Sequence, residues 1–272
     1  MAYENFKRLV WSKNIQHQLP KFTVFEPDCN YKFKGEIKYA KQVKILGVNR
    51  PTIGTYTGSS IGTPETVPTS AQFLDIDQAK FFNFMVDDVD EAQSTPGLME
   101  ALMEESTRAM AQERDSYIAK ICADSAGYNA SAVEIDTAAE AEAALEAALI
   151  WLQDNGVNPT VDKVTAYLTP KVYTYLAKAM IEDKTDNDDL VGKGSIGKYL
   201  GIRIKMSNNL YKDGSNYYHN IIKSDKACAF ASAIDDVEAY RPETLFSDAI
   251  KGLNVYGGKI IRPQECYAFK SY

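Results

Sequence analysis

An α+β fold is what this sequence predicts, on three observations. From Leu98 onward no Gly or Pro interrupts a helical pattern until Gly127. Two strand-like runs, 31–48 and 73–86, flank a segment rich in Gly, Pro, Thr and Ser at 50–70, which reads as a long hairpin arm. Helical and strand-like patterns then alternate from about 128 to 234, as in a compact α/β or α+β unit.

The helix comes first because the other parts are arranged around it. Thr95 suits its N-cap and Pro96 its first turn, and Leu98, Leu102, Ala109, Met110, Tyr117, Ile118 and Ile121 recur at the spacing of one helical face. An element of roughly 30 residues is about 45 Å long. A chain of this size cannot wrap a core around that length, so part of the helix is expected to lie along an extended, plate-like subunit. Glu104 and Arg108, four apart with the acid first, add a small favourable pair.

The segment before the hairpin, 1–30, carries Phe6, Leu9, Val10, Trp11, Ile15 and Leu19, too little surface to fold alone, and is expected to pack elsewhere as an arm. Within the hairpin, Val43, Ile45 and Leu46 mark the first strand and 73–86 the second, both with edges left unpaired in an isolated molecule. After the long helix, Thr137 and Glu140 form a capping box, Ala141, Leu145, Ala148, Leu149 and Leu152 line one face, and Gly156 ends a second helix. A strand at 164–168, a helix at 170–182 with Val172, Leu176, Ala179 and Met180, and a charged glycine-containing loop at 184–197 follow. Strands are expected at 200–206, 217–222 and 228–233, with turns at Asn208-Asn209 and Asp213-Gly214, and β-rich runs near 254–256 and 259–261.

Composition narrows the function. The 272 residues are 45% hydrophobic and 25% charged, with a net charge of −7, which argues against a protein that wraps nucleic acid by neutralising phosphates. Four cysteines without CxxC spacing and an N-terminus without an apolar signal core lead to the expectation of cytosolic synthesis with free thiols. No apolar run approaches the roughly 20 residues needed to cross a bilayer, so no membrane contact is expected.

Catalytic chemistry is hard to find. Residues 192–198, GKGSIGK, match the first seven positions of a phosphate-binding loop, but Tyr199 stands where Ser or Thr must reach magnesium, and an acidic loop precedes them instead of a buried strand. Asp186, Asp188, Asp189, Lys193 and Lys198 are therefore read as a charged surface loop. Asp87, Asp88, Asp90 and Glu91 could suit a hard cation, but just before a helix they also complement its dipole. His17 and His219 are far apart and outside any nucleophile motif, and a solvated or hydrogen-bonded histidine is the default for each. No cofactor, metal or catalytic residue is expected.

The order of parts is itself informative. An arm with Trp11-Ser12, the run YKFKGEIKYAKQVKI at 31–45, FLDIDQAKFFNFMVDDVDEAQ at 73–93, GIRIKMSNNL at 201–210 and FSDAIKGLNVYGGKIIRP at 246–263 resemble the major capsid proteins of tailed bacteriophages, the Hong Kong 97-type fold. The likeness is to the coat proteins of phages and prophages of Gram-positive bacteria. It implies an N-terminal arm at 1–30 and an E-loop hairpin with P-domain strands at 31–86. A P-domain spine helix at 87–127, an A domain at 128–234, and a P-domain return strand with a C-terminal β segment at 235–272 complete it. It implies hexamers and pentamers that assemble in the bacterial cytoplasm into an icosahedral shell around double-stranded DNA, with only weak, non-specific DNA contact. It also places Tyr56, Ile61 and Val67 at an intersubunit hairpin tip and Leu98, Leu102, Arg108 and Tyr117 on the spine. Because the arm begins at Met1, a separate scaffolding protein, or none, is expected, together with a portal. Some relatives cross-link a hairpin lysine to a neighbour's asparagine, but no lysine lies between Ile45 and Ala79 here. The alternatives are a bacterial nanocompartment (encapsulin-like) shell of the same fold and a soluble nucleotide-binding enzyme.

Overall fold

The computed structural model describes residues 23–31, 42–48, 51–53, 55, 58, 63, 65–66, 69–87, 98–182, 197–244 and 246–272. A six-stranded mixed sheet carries the core. Its strands are β4 (Tyr128–Val133), β5 (Val164–Leu168), β6 (Lys198–Tyr199), β7 (Ile202–Met206), β8 (Tyr218–Ser224) and β11 (Cys266–Ser271), in the order β4-β11-β8-β5-β7-β6. Helices α2 (Ala138–Asp154) and α3 (Pro170–Glu182) cover one face. The Thr137 and Glu140 capping box is present, with Ala141, Leu145, Ala148 and Leu152 buried as the pattern requires, against Val164, Ala166, Leu168 and Phe269.

The other face of this sheet meets the long helix α1 (Leu98–Asp124) and the segment 23–31. Here the side chains that alternate with the first set, Tyr167, Ile221 and Cys266, pack against Ile118, Ala119, Cys122 and Phe25. The buried face of α1 is Asp115, Ile118, Ala119, Cys122 and Ala123. This corrects the predicted stripe, of whose described side chains only Ile118 is fully buried. Leu102 is 36% exposed, and no described side chain before Asp115 is buried, because only the C-terminal half of the helix lies between the layers.

Two further sheets extend from this body. β1 (Gln42–Val48) and β2 (Thr69–Asp75) pair antiparallel from Gln42↔Asp75 to Val48↔Thr69, forming the base of the expected hairpin. Val43, Ile45 and Leu74 face inward onto Ala229 and Ala231, while Leu46 and Phe73 point to solvent. The run 73–86 is not one strand. It breaks at Ile76-Asp77, and β3 (Gln78–Asp87) leaves the hairpin to join β10 (Ser247–Ile260), which pairs on its other side with β9 (Cys228–Tyr240). The expected tail run 254–256 and all but Ile261 of the run 259–261 are parts of the single strand β10, whose glycines mask its continuity. The boundary placed at 234 falls inside β9, and the last strand, β11, lies within the six-stranded sheet between β4 and β8.

The crossing of β2 into β3 explains one glycine. A Cβ on Gly257 would lie 2.0 Å from the Asp75 carbonyl oxygen and 2.8 Å from Ile76 Cα, so the chain passes over β10 only because that position has no side chain. Gly257→Ala should destabilise the protein by about 1–3 kcal/mol through overpacking. Gly214→Ala, with open space around its Cβ, should leave stability unchanged. Urea unfolding of both variants reads the difference, and equal midpoints would count against this packing.

Candidate assembly surfaces

The junction between α1, the segment 23–31 and the six-stranded sheet is built around one carboxylate. Asp115 is fully buried, and its oxygens accept the backbone N–H groups of Val24 (3.1 Å), Phe25 (2.8 Å) and Glu26 (3.3 Å) and the side-chain amide of Asn209 (3.1 Å). Three successive amides converge because the chain turns there into a 3-10 turn, Glu26–Asp28, whose first N–H groups have no partner within it. Phe25 then stacks on Tyr167 with ring centroids 4.0 Å apart.

One turn further, Asp28 faces the sheet. It accepts hydrogen bonds from Lys205 and from the Tyr167 hydroxyl (2.8 Å), and its carbonyl takes the ammonium of fully buried Lys223 at 2.7 Å. Burial alone would raise the Asp28 carboxyl, but the hydrogen bonds of Lys205 and Tyr167 and the charges of Lys205 and Lys223 hold it below its ordinary value. Sequence reasoning missed this cluster. Its residues are scattered from 24 to 223, and no local pattern marks a buried Asp on a helix or a buried Lys in a strand.

His219 is buried and lies 3.6 Å from Asp213, which excludes the solvated one of the two expected alternatives. Burial, and then the charge of Lys270, lower its pKa against the opposite pull of Asp213. A depressed histidine contributes stability that is present above its unfolded value of about 6.5 and is lost as pH falls through the folded value. Unfolding free energy should therefore fall on acidification below neutrality, and less so in His219→Phe.

Along the ribbon β3-β10-β9 several large apolar side chains stand exposed together. Its register places Phe81, Asn83, Met85, Lys251, Leu253, Asp236, Glu238 and Tyr240 on one face, where Phe81 is 77%, Met85 59% and Leu253 41% exposed. The opposite face carries Phe82 and Phe84, stacked with centroids 6.0 Å apart, and exposed Val237. Phe82 lies directly over Gly252. The ribbon is covered only at one end, where Ala229 and Ala231 lie under the hairpin base and Phe230 and Tyr256 pack in the core with α1; beyond it the two faces carry these exposed side chains, and a groove of about 450 Å³ opens beside Phe81, Lys251 and Leu253.

Of the residues singled out from sequence, Tyr56, Ile61, Val67, Asp186, Asp188, Asp189 and Lys193 lie outside the described residues, as does His17. Leu98 opens α1, and Arg108 pairs with Glu104 and, at 3.9 Å, with Glu105. The Tyr117 hydroxyl donates to Asp77 at 3.0 Å, and its ring meets Tyr256 edge-on at 5.3 Å, so it ties the spine to the start of β3. Lys198 is exposed in β6, paired with Arg203 across a turn in which Leu200 and Gly201 both have positive φ. That two-residue hairpin turn stands where a phosphate-binding loop would start a helix. Among the described residues no group of three or more His, Cys, Asp or Glu side chains could hold a metal ion, and no helix is long and apolar enough to cross a membrane.

Replacing Asp115 with Ala leaves three amides and Asn209 without their acceptor, and should cost about 3 kcal/mol in urea unfolding. Asp115→Asn, which keeps an acceptor oxygen, should cost less. Wild-type stability in both would refute the role given to this carboxylate.

No family model and no curated protein sequence matches the chain. Solved structures do. A chain of Mycobacterium phage Che8 is 30% identical with a TM-score of 0.85, the match covering 98% of each chain. A chain from the capsid of the Cyanophage P-SCSP1u is 15% identical with a TM-score of 0.82, covering 99% of this chain and 94% of the other. One from the mature capsid of bacteriophage PhiM1 is 15% identical with a TM-score of 0.73, covering 97% and 92%. End-to-end likeness at this level identifies the chain as a member of the phage major capsid proteins, which are structural proteins of the virion and not enzymes.

Proposed function

We propose that this chain assembles with copies of itself, as hexamers and pentamers, into an icosahedral shell that encloses double-stranded phage DNA in the host cytoplasm. The observation that carries the reading is the ribbon β3-β10-β9, where Phe81, Met85 and Leu253 on one face and Val237 on the other stand exposed in the isolated subunit. Large apolar side chains exposed together on a thin sheet mark a surface that a partner covers, and identical copies are the partner always present at high concentration.

On this reading 1–30 form the arm, 31–86 the E-loop hairpin and P-domain strands, 87–127 the spine, 128–234 the A domain, and 235–272 the return strand and C-terminal β segment. Tyr56, Ile61 and Val67 at the hairpin tip make intersubunit contacts. The exposed first half of α1, with Leu102 and Met103 uncovered, lies along a neighbour. A separate scaffolding protein and a portal take part in assembly, and the DNA is held without sequence-specific contact, as the net charge of −7 suits.

The test is assembly itself. The expressed chain, with or without coexpressed scaffold, should sediment as capsomers or closed shells and show shells by electron microscopy. Monomer under every condition would defeat the proposal. The double variant Phe81→Ser, Met85→Ser changes only exposed side chains, so its circular dichroism should match the wild type while assembly is lost. Normal shells from that variant would remove the ribbon from the contact surface.

A further inference from the structure

All four cysteines of the chain, Cys29, Cys122, Cys228 and Cys266, are free and enter a single core, although they come from the segment 23–31, α1, β9 and β11. Within that core one pair is aligned by the backbone. Asn30 pairs in parallel with Ala229; its N–H donates to the Cys228 carbonyl at 2.8 Å and its carbonyl accepts from Phe230 N–H at 3.3 Å. Cys29 and Cys228 are therefore the preceding neighbours on the two segments, with side chains on the same side of the ladder. Cys29 has extended backbone, φ −99° and ψ 159°, so the ladder geometry reaches it. Adjacent strands place such Cα atoms about 4.8 Å apart, within the roughly 4.4–6.8 Å that a disulfide spans. Each of the two thiols perturbs the titration of the other, and Cys122 on α1 also perturbs Cys228 and is the competing partner. Cys29 retains 8% of its surface in contact with solvent, whereas Cys122, Cys228 and Cys266 retain none, so it is the thiol a small oxidant reaches.

We propose that Cys29 and Cys228 form an oxidation site, at which an intramolecular disulfide fastens the segment 23–31 to β9. Thiols of a chain made in a reducing cytosol stay reduced, and virion surfaces are among the places where disulfides persist. The biological setting rests on the shell reading above; the bond itself does not. The reaction removes one hydrogen from each thiol. With an azo oxidant such as diamide, the Cys29 sulfur adds to one nitrogen of the N=N bond while its proton passes to the other, and the Cys228 sulfur then attacks the sulfenyl sulfur as its own proton goes to the departing nitrogen, releasing the hydrazine and closing the S–S bond. The bridge ties residue 29 to residue 228 and so constrains most of the chain in the unfolded state.

The experiment treats the purified full-length chain with diamide and counts thiols after denaturation. The expected result is a fall from four thiols to two, a peptide map linking Cys29 to Cys228 within one chain, and a raised unfolding midpoint that dithiothreitol reverses. Cys266→Ser should still lose two thiols, and Cys29→Ser should lose none. The assay reads the same in subunit and shell, so it succeeds or fails independently of assembly. The proposal is overturned if the bridge maps to Cys122 or between chains. It is equally overturned if Cys29→Ser loses thiols like the wild type, or if the native chain keeps all four at diamide levels that fully oxidise it in urea.

Discussion

A carboxylate without solvent, in the middle of a helix that separates two layers, sets the terms for this fold. Taking Asp115 out of water is unfavourable unless its oxygens are met by donors, and the donors come from two distant places, the backbone at 24–26 and Asn209. Satisfying it fixes where the first described segment lies. That position then delivers Phe25 to Tyr167 and Asp28 to Lys205 and Lys223, so a second buried charge finds its acceptor only because the first one did. Buried polar networks of this kind contribute little net stability and are best attested as devices that select one register. Here the choice is which stretch of chain enters the layer between α1 and the sheet.

From that junction outward the molecule becomes progressively less able to cover itself. The six-stranded sheet is closed on both faces, by α2 and α3 on one side and by α1 with the segment 23–31 on the other. The hairpin base is covered on one face only, and the ribbon β3-β10-β9 is covered at its Cys228–Ala231 end but exposes Phe81, Met85, Leu253 and Val237 beyond it. The proposed assembly follows from this gradient: a body covered on both faces carries extensions whose apolar side chains stand exposed.

What the sequence made legible was what depends on neighbours along the chain. The capping box at Thr137 and Glu140, the strand Val164–Leu168 and the helix Pro170–Glu182 were all readable, because caps and periodicity act over a few residues. The break at Ile76-Asp77 was not, since the two-residue period runs through it unchanged while the partner strand switches from β1 to β10. β4 escaped notice because Asn, Ala and Ser in YNASAV have weak strand preference. The buried face of α1 was misjudged for a related reason. Its centre is an aspartate, and a hydrophobic template passes over the one polar residue on which the packing turns.

The candidate site shows the same division more sharply. GKGSIGK matches a motif at most of its positions, yet a phosphate-binding loop works by presenting backbone amides at the start of a helix. Lys198 and Tyr199 instead run into a left-handed turn at Leu200 and Gly201 and back along β7, leaving no helix terminus at which charge could concentrate. A short motif states which residue types are present, whereas its chemistry belongs to the conformation around it. The order of arm, hairpin, spine, sheet and returning tail has no single essential residue, but each part constrains the next through the whole length of the chain. For a phage major capsid protein, that long-range arrangement is where the family is written.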